Sequence, residues 1–390
     1  MQILLVGLAC ALGALTLLAA PATNLKDSAC AAPGQWIVPG RGTLPAERVL
    51  ADSAKQSVVL LGETHDNPDH HRWQLQTVAA LAALRPRIAL GFESFPRRIQ
   101  PVLDRWVAGE LSEQDFLKES HWSEVWGFDA AYYLPLFHFA RLNRIPMIAL
   151  NVEHALPRDI GAHGLDTVPL ERREGVSTPA APASGYVDEL YQTWAEHLKK
   201  GEQRPRNDPE FQRFVQAQQM WDRAMAQAIA DRLARDPGLL VVGIMGSGHV
   251  ADGYGVPHQL RDLHVSHTAW LLPWSAAESC SDLGPQYATA LFALPAAQSR
   301  ARGPRLGVSI ETEPRGVRIA AVSAKSVAEA AGLRAGDIVV EAAGTKMKQA
   351  ADLRTIVESV APGTWLPLKV LREAENLEVV ARFPRQSLAD

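Results

Sequence analysis

The chain has 390 residues, of which 47% are hydrophobic and 21% charged, with a formal net charge of −4. That length holds two or three domains, each with its own core, and the composition excludes a disordered or fibrous class. No lysine/arginine run is long enough to track a phosphate backbone, which argues against nucleic acid as a partner.

Residues 3–20 form an uninterrupted apolar run followed by the small residues Ala20-Pro21-Ala22. Residues 1–22 therefore read as a secretory signal peptide, and the mature protein is expected in the periplasm or associated with the outer membrane. No lysine or arginine precedes the run, so either the Met1 amino group supplies the positive charge or the true start lies upstream. A retained anchor is the competing reading, because the run sits at the lower limit for a membrane span. Of the three cysteines, Cys10 lies inside the leader, leaving Cys30 and Cys280 free to pair in an oxidising compartment if the fold brings them together. Lipidation is not supported: Asp27-Ser28-Ala29 puts an acidic residue where the lipoprotein signal wants leucine, and Cys10 comes too early.

Residues 23–48, rich in Pro, Gly and Ala, read as an extended lead-in. Continuous apolar runs at 57–62, 87–93, 147–151 and 239–244, with a further one at 268–272, predict buried parallel strands. Helical periodicity predicts helices at 69–84, 99–107, 113–119, 133–143, 187–199 and 209–234, with a tryptophan-rich loop at 121–126 and a longer loop at 171–184. Alternating strands and helices predict an α/β fold over 49–297, with a mostly parallel sheet covered by helices on both faces.

Ligands of such folds sit outside the carboxyl ends of the strands. The four core strands end in Gly62-Glu63-Thr64-His65-Asp66-Asn67-Pro68, Phe92-Glu93-Ser94, Asn151-Val152-Glu153-His154 and Gly246-Ser247-Gly248-His249. Buried charges at successive strand ends are costly unless they pair or bind something. Glu63, His65, Glu93 and His249 suit metal-free acid/base work, the carboxylates orienting the imidazoles, while His65, Glu93 and His249 also suit a divalent metal. A satisfied polar network that only fixes loop geometry is the competing reading. His70 and His71 read as solvated surface residues. The aromatic cluster Trp122, Trp126, Phe128, Tyr132 and Tyr133 reads as core, although it would suit a flat ligand such as a porphyrin.

A linker at 298–304 precedes short β-runs. Leu306-Gly307-Val308-Ser309-Ile310 leads into a strand, Gly332-Leu333-Arg334-Ala335-Gly336-Asp337 follows, then a helix at 350–359 and a final strand pair at 366–382. This order resembles a PDZ domain of the bacterial exported type, a β-rich module at 305–386. Backbone N–H groups at Leu306, Gly307 and Val308 would capture a peptide carboxylate, and Leu353 would wall the groove, so a C-terminal or extended peptide is the expected partner.

The motifs Gly62-Glu63-Thr64-His65-Asp66-Asn67, Asp69-His70-His71-Arg72, Gly91-Phe92-Glu93, Pro135-Leu136-Phe137-His138-Phe139-Ala140 and Gly246-Ser247-Gly248-His249 together resemble the ChaN-like haem-binding family. The resemblance implies haem as cofactor, bound between two subunits and hence a homodimer, at the bacterial envelope. It also implies a fold shared with erythromycin-esterase-type hydrolases and Tiki-type metalloproteases, in which the positions matching His65, Glu93 and His249 do the chemistry. His65, His249, Tyr132 and Tyr133 are the candidate iron ligands, with Trp126 beside them. The expected function is an envelope haem or iron-porphyrin binding protein whose PDZ domain recruits a peptide partner. The alternatives are a His/Glu-dependent hydrolase or protease with PDZ substrate selection, and a non-catalytic PDZ adaptor. No Gly-x-Ser-x-Gly elbow and no His-Glu-x-x-His helix is present, so those serine and zinc protease mechanisms lack support.

Overall fold

A computed structural model describes residues 31–199, 202–280, 283–296 and 305–385. The leader at 1–22 and the linker at 298–304 lie outside the described residues. The chain divides into two compact units, one ending at Ala296 and the other beginning at Ala297. Among the described residues, no helix is long and apolar enough to cross a membrane.

The first unit is built on an eight-stranded sheet. Its strands are β1 (Trp36–Val38), β2 (Gly42–Leu44), β3 (Val58–Glu63), β4 (Ile88–Pro96), β5 (Met147–Asn151), β6 (Leu240–Gly246), β7 (Thr268–Ser275) and β8 (Ala290–Leu294), in the spatial order β2-β1-β8-β7-β3-β6-β4-β5. The pairs from β8 to β5 are all parallel, and only β1 pairs antiparallel with its neighbours. The five strands expected from apolar runs all form. Two features were not legible. The segment read as a lead-in carries the β1–β2 hairpin, which pairs with β8, and β8 itself is a short run of ordinary residues.

Side chains alternate across each strand, so one sheet has two cores. Val59, Leu61, Leu90 and Phe92 pack with Trp73, Leu103, Trp106, Phe116 and Phe137, from helices that follow β3 and β4. Val58, Leu60, Ala89 and Val241 pack on the other face with Met225, Ile229 and Leu260. The chain moves from β3 through β4 to β5 in one direction along the sheet, then returns through β6, β7 and β8 in the other. The reversal lies where β6 inserts between β3 and β4. In a doubly wound sheet this is where the carboxyl ends open a crevice.

The second unit is an antiparallel sheet of β9 (Val308–Glu313), β10 (Gly316–Val322), β11 (Ile338–Ala342), β12 (Thr345–Lys346), β13 (Trp365–Arg372) and β14 (Glu375–Arg382), in the order β14-β13-β11-β10-β9 with β12 on β11. The helix Ala350–Ser359 buries Leu353 and Val357 into the same core as Leu306, Val317 and Leu368. Among the described residues β9 ends the sheet, which leaves one of its edges open to another strand.

Candidate functional site

Three strands and the helices packed on them build the site. β3 ends on Glu63, and the turn after it carries His65. Asn67 then caps the helix Pro68–Leu84, its side chain accepting from the Asp69 N–H with Pro68 in the first turn. The cap turns the chain back on itself, so the first helical turn faces the strand it has just left. His71 thereby donates from Nε2 to the His65 carbonyl at 3.0 Å and presents Nδ1 3.4 Å from Glu63 Oε2. His70 Nδ1 accepts from the Thr64 N–H at 2.9 Å, and burial beside His71 lowers its pKa to about 4. The surface reading of this pair is thus corrected: His71 is buried and both rings brace the His65 turn. The sequence showed two polar side chains in a first helical turn, and only the cap geometry turned them inward.

Glu63 is 3% exposed. Its Oε1 accepts from His65 Nδ1 at 2.8 Å and from the Tyr133 hydroxyl at 2.5 Å. The first contact fixes the His65 tautomer with the proton on Nδ1 and directs Nε2 away from the carboxylate. Burial disfavours the His65 imidazolium, yet the Glu63 hydrogen bond and the charge of Glu93 outweigh it and raise its pKa. Trp126 lies edge-on to the ring at 4.7 Å, and Phe128, 36% exposed, lies at 5.1 Å. One partly exposed imidazole is therefore walled by aromatic rings.

The second half of the site is drier. Glu93 Oε2 accepts from the Gly246 N–H at 2.7 Å, and Oε1 lies 3.3 Å from His249 Nε2. The other nitrogen of His249, Nδ1, donates to Asp222 Oδ1 at 2.7 Å, and Asp222 Oδ2 accepts from the Tyr186 hydroxyl at 2.6 Å. Burial works against the His249 cation, but the Glu93 charge and the Asp222 contact dominate and raise its pKa to about 10. Burial pushes the Glu93 carboxyl upward, and the His249 charge more than reverses this, leaving it below the usual carboxylate range. His249 is accordingly an imidazolium held between two carboxylates.

Asp222 was not anticipated, although a signal for it exists. It lies in the helix Pro209–Arg235 among the buried positions Val215, Gln219, Ala226 and Ile229, all on one stripe of the helix. A carboxylate in such a stripe needs a partner. Glycines make the close approaches possible: a Cβ on Gly255 would meet the His249 carbonyl oxygen at 2.4 Å, and one on Gly246 would meet His65 Cε1 at 3.1 Å. Gly246→Ala is expected to displace the His65 ring by a few tenths of an ångström, at about 1–3 kcal/mol. The His65 imidazole NMR signals and a thermal melt check both effects.

These positions sort the expected residues. Glu63, His65, Glu93 and His249 do converge at the carboxyl ends of β3, β4 and β6. They do not form the expected metal triad: among the described residues, no group of three or more His, Cys, Asp or Glu side chains is placed to hold an ion. Both nitrogens of His249 face carboxylates, so a metal or haem iron would have to displace the Glu93 contact to reach Nε2. Tyr133 is removed as an iron ligand, since it is 1% exposed, and burial with the adjacent Glu63 drives its pKa upward, away from phenolate. Tyr132 is half-buried and stacks on His71 at 5.7 Å. Trp126 flanks the His65 ring. Cys280 is disulfide-bonded, while Cys30 lies outside the described residues.

In the second unit, Arg305, Leu306, Gly307, Val308, Ile310 and Leu353 line a groove of about 830 Å³ between β9 and the helix Ala350–Ser359. Gly307 has a φ of +80° and a Cβ there would lie 2.3 Å from Ser326 Cβ, so only glycine fits.

A family model described as haem-binding uptake, Tiki superfamily, ChaN, matches residues 49–260, and a PDZ domain model matches residues 304–381. No curated protein matches the chain. Among solved structures, ChaN of Campylobacter jejuni with cofacially bound haem is 15% identical, with a TM-score of 0.50, covering 66% of this chain and 95% of that one. The HtrA3 PDZ domain bound to a phage-derived ligand is 23% identical over 20% of this chain and 82% of that one, with a TM-score of 0.19. A serine endoprotease of Yersinia pestis is 23% identical over 21% of this chain and 29% of that one, also with a TM-score of 0.19.

Proposed function

The chain belongs to the haem-binding uptake family of ChaN in the Tiki superfamily, and we propose from this that its first domain binds haem through His65 as an envelope haem or iron-porphyrin protein. The observation that carries the reading is the state of the His65 ring. Glu63 takes its Nδ1 proton, no hydrogen bond among the described residues uses Nε2, and Trp126 and Phe128 stand beside it. A carboxylate behind an imidazole raises the basicity of the far nitrogen, and apolar rings exclude water from a porphyrin face. Haem, when bound, supplies the iron; His65 binds it, Glu63 orients His65, and the aromatic rings shield the contact. The exported location inferred from residues 1–22 suits this role, as does the homodimer implied by the resemblance.

Haemin titration of the full chain, followed at the Soret band, tests the proposal. Saturable one-to-one binding is expected, lost in His65→Ala and retained in Tyr133→Phe. Binding unchanged in His65→Ala but lost in Tyr132→Phe would move the ligand to Tyr132, and non-saturating binding throughout would end the haem reading.

The same free Nε2 favours a second reading, in which His65 is a general base oriented by Glu63 in a hydrolase. His249, with both nitrogens engaged, would serve there as a fixed positive charge rather than as a base. Ester or peptide turnover by haem-free protein that disappears in His65→Ala would support this over haem binding.

For the PDZ domain we propose capture of a peptide carboxylate by the N–H groups at Leu306, Gly307 and Val308, with the peptide added to β9. Selection from a library of peptides with free C-termini should enrich a consensus. Gly307→Val should abolish binding to an enriched peptide in fluorescence anisotropy, and amidating that peptide should weaken binding at least tenfold.

A further inference from the structure

Beside Trp221, the ring that packs on His249, lies a cavity that neither reading uses. It measures about 560 Å³ and is walled by the helices Ala155–His163, Ser184–Glu196 and Pro209–Arg235. Three of its lining side chains are large aromatic rings, Trp194, Phe214 and Trp221. Rings lining one space from two helices favour a flat apolar guest, because each offers apolar area and a surface for stacking.

The charges at its rim are unequal. Glu210 is already bound by Arg204, through both a hydrogen bond and an ion pair. Arg158 lines the cavity and makes no ion pair among the described residues. A guanidinium without a partner beside an aromatic cleft matches a carboxylate, which it binds with charge-assisted hydrogen bonds. Small residues let two of these helices pack closely at the cavity's edge: a Cβ on Gly161 would lie in van der Waals contact with that of Ala217, at 3.9 Å.

We propose that this cavity binds a planar aromatic carboxylate, its ring system among Trp194, Phe214 and Trp221 and its carboxylate on Arg158. The site is separate from His65 yet adjoins its network, because Trp221 packs against the His249 ring at 5.2 Å. The inference does not depend on haem binding.

Isothermal titration of the full chain with 2-naphthoate tests it. A saturable one-to-one isotherm is expected, and the uncharged analogue 2-acetylnaphthalene should bind at least tenfold more weakly. Arg158→Gln, a change at an exposed position, should weaken naphthoate binding about tenfold. Ala217→Leu puts a larger side chain into the cavity lining and should abolish binding while leaving the haemin titration of the same variant unchanged. Non-saturating heats with the wild-type chain would overturn the proposal, as would naphthoate binding that is unaltered by both substitutions.

Discussion

Replacing His249 with alanine is expected to destabilise the first domain by about 3–5 kcal/mol, a loss far larger than a surface histidine would cause. The imidazolium lies between Glu93 and Asp222, which are 2% and 0% exposed. Removing it leaves two carboxylates buried at short range with no cation between them, and each must then be protonated or hydrated for the domain to stay folded. The double variant His249→Ala with Asp222→Asn should recover part of the loss, since one of the two uncompensated charges is gone. Urea denaturation followed by tryptophan fluorescence measures both.

The pH dependence has a definite sign. The pKa of His249 is raised from 6.5 to about 10 in the folded domain, so its contribution to stability is complete below pH 6.5 and is lost as pH rises through about 10. The pKa of Glu93 is lowered from 4.5, so its contribution is present above pH 4.5 and is lost as pH falls through the lower folded value. Wild-type stability should therefore decline on both sides of a mildly acidic plateau, and the alkaline decline should be absent from His249→Ala. An alkaline decline of equal size in that variant would refute the assignment of His249 as the buried cation.

Glu63→Gln is expected to reduce haem affinity 10–100-fold while leaving the domain folded. One carboxylate oxygen receives both the His65 ring and the Tyr133 hydroxyl, so this residue sets the direction in which Nε2 points. The amide is nearly the same shape, but it lacks the charge that favours the proton on Nδ1 and strengthens the ring as a donor to iron. Haemin titration at fixed pH supplies the affinity, and a thermal melt establishes that folding survives. An affinity equal to wild type would show that His65 either does not bind the iron or does not need Glu63 to do so. The contrast with His65→Ala, which removes the donor itself, separates orientation from ligation.

Much of this was legible in the order of the residues. Buried parallel strands announce themselves as runs such as Val58-Val59-Leu60-Leu61, because a strand covered on both faces needs apolar side chains on both. Asn67-Pro68 marks a helix start through its own chemistry, and glycine at Gly307 follows from the backbone conformation of the loop. The convergence of Glu63, Glu93 and His249 was likewise readable, since strand ends in a parallel sheet share one rim. The PDZ order of strands and helix is local enough to be read in the same way.

Other features depended on which atoms the fold brings together. The β1–β2 hairpin is short and mixed in composition, and it becomes a pair of strands only because β8 offers an edge to it. Asp222 is 27 residues from His249 in sequence, and Tyr133 is 70 from Glu63, so neither contact leaves a local pattern. Sequence nominates both His65 and His249 as iron ligands with equal force. Tertiary structure separates them, because protonation and free lone pairs are set by the nearest charges, and those arrive from a helix and from other strands. Residue type thus determined where the site lies and which chemistry it can draw on. Packing decided which imidazole is a locked cation and which keeps a nitrogen free, since hydrogen bonds act over a few ångströms whatever the distance along the chain.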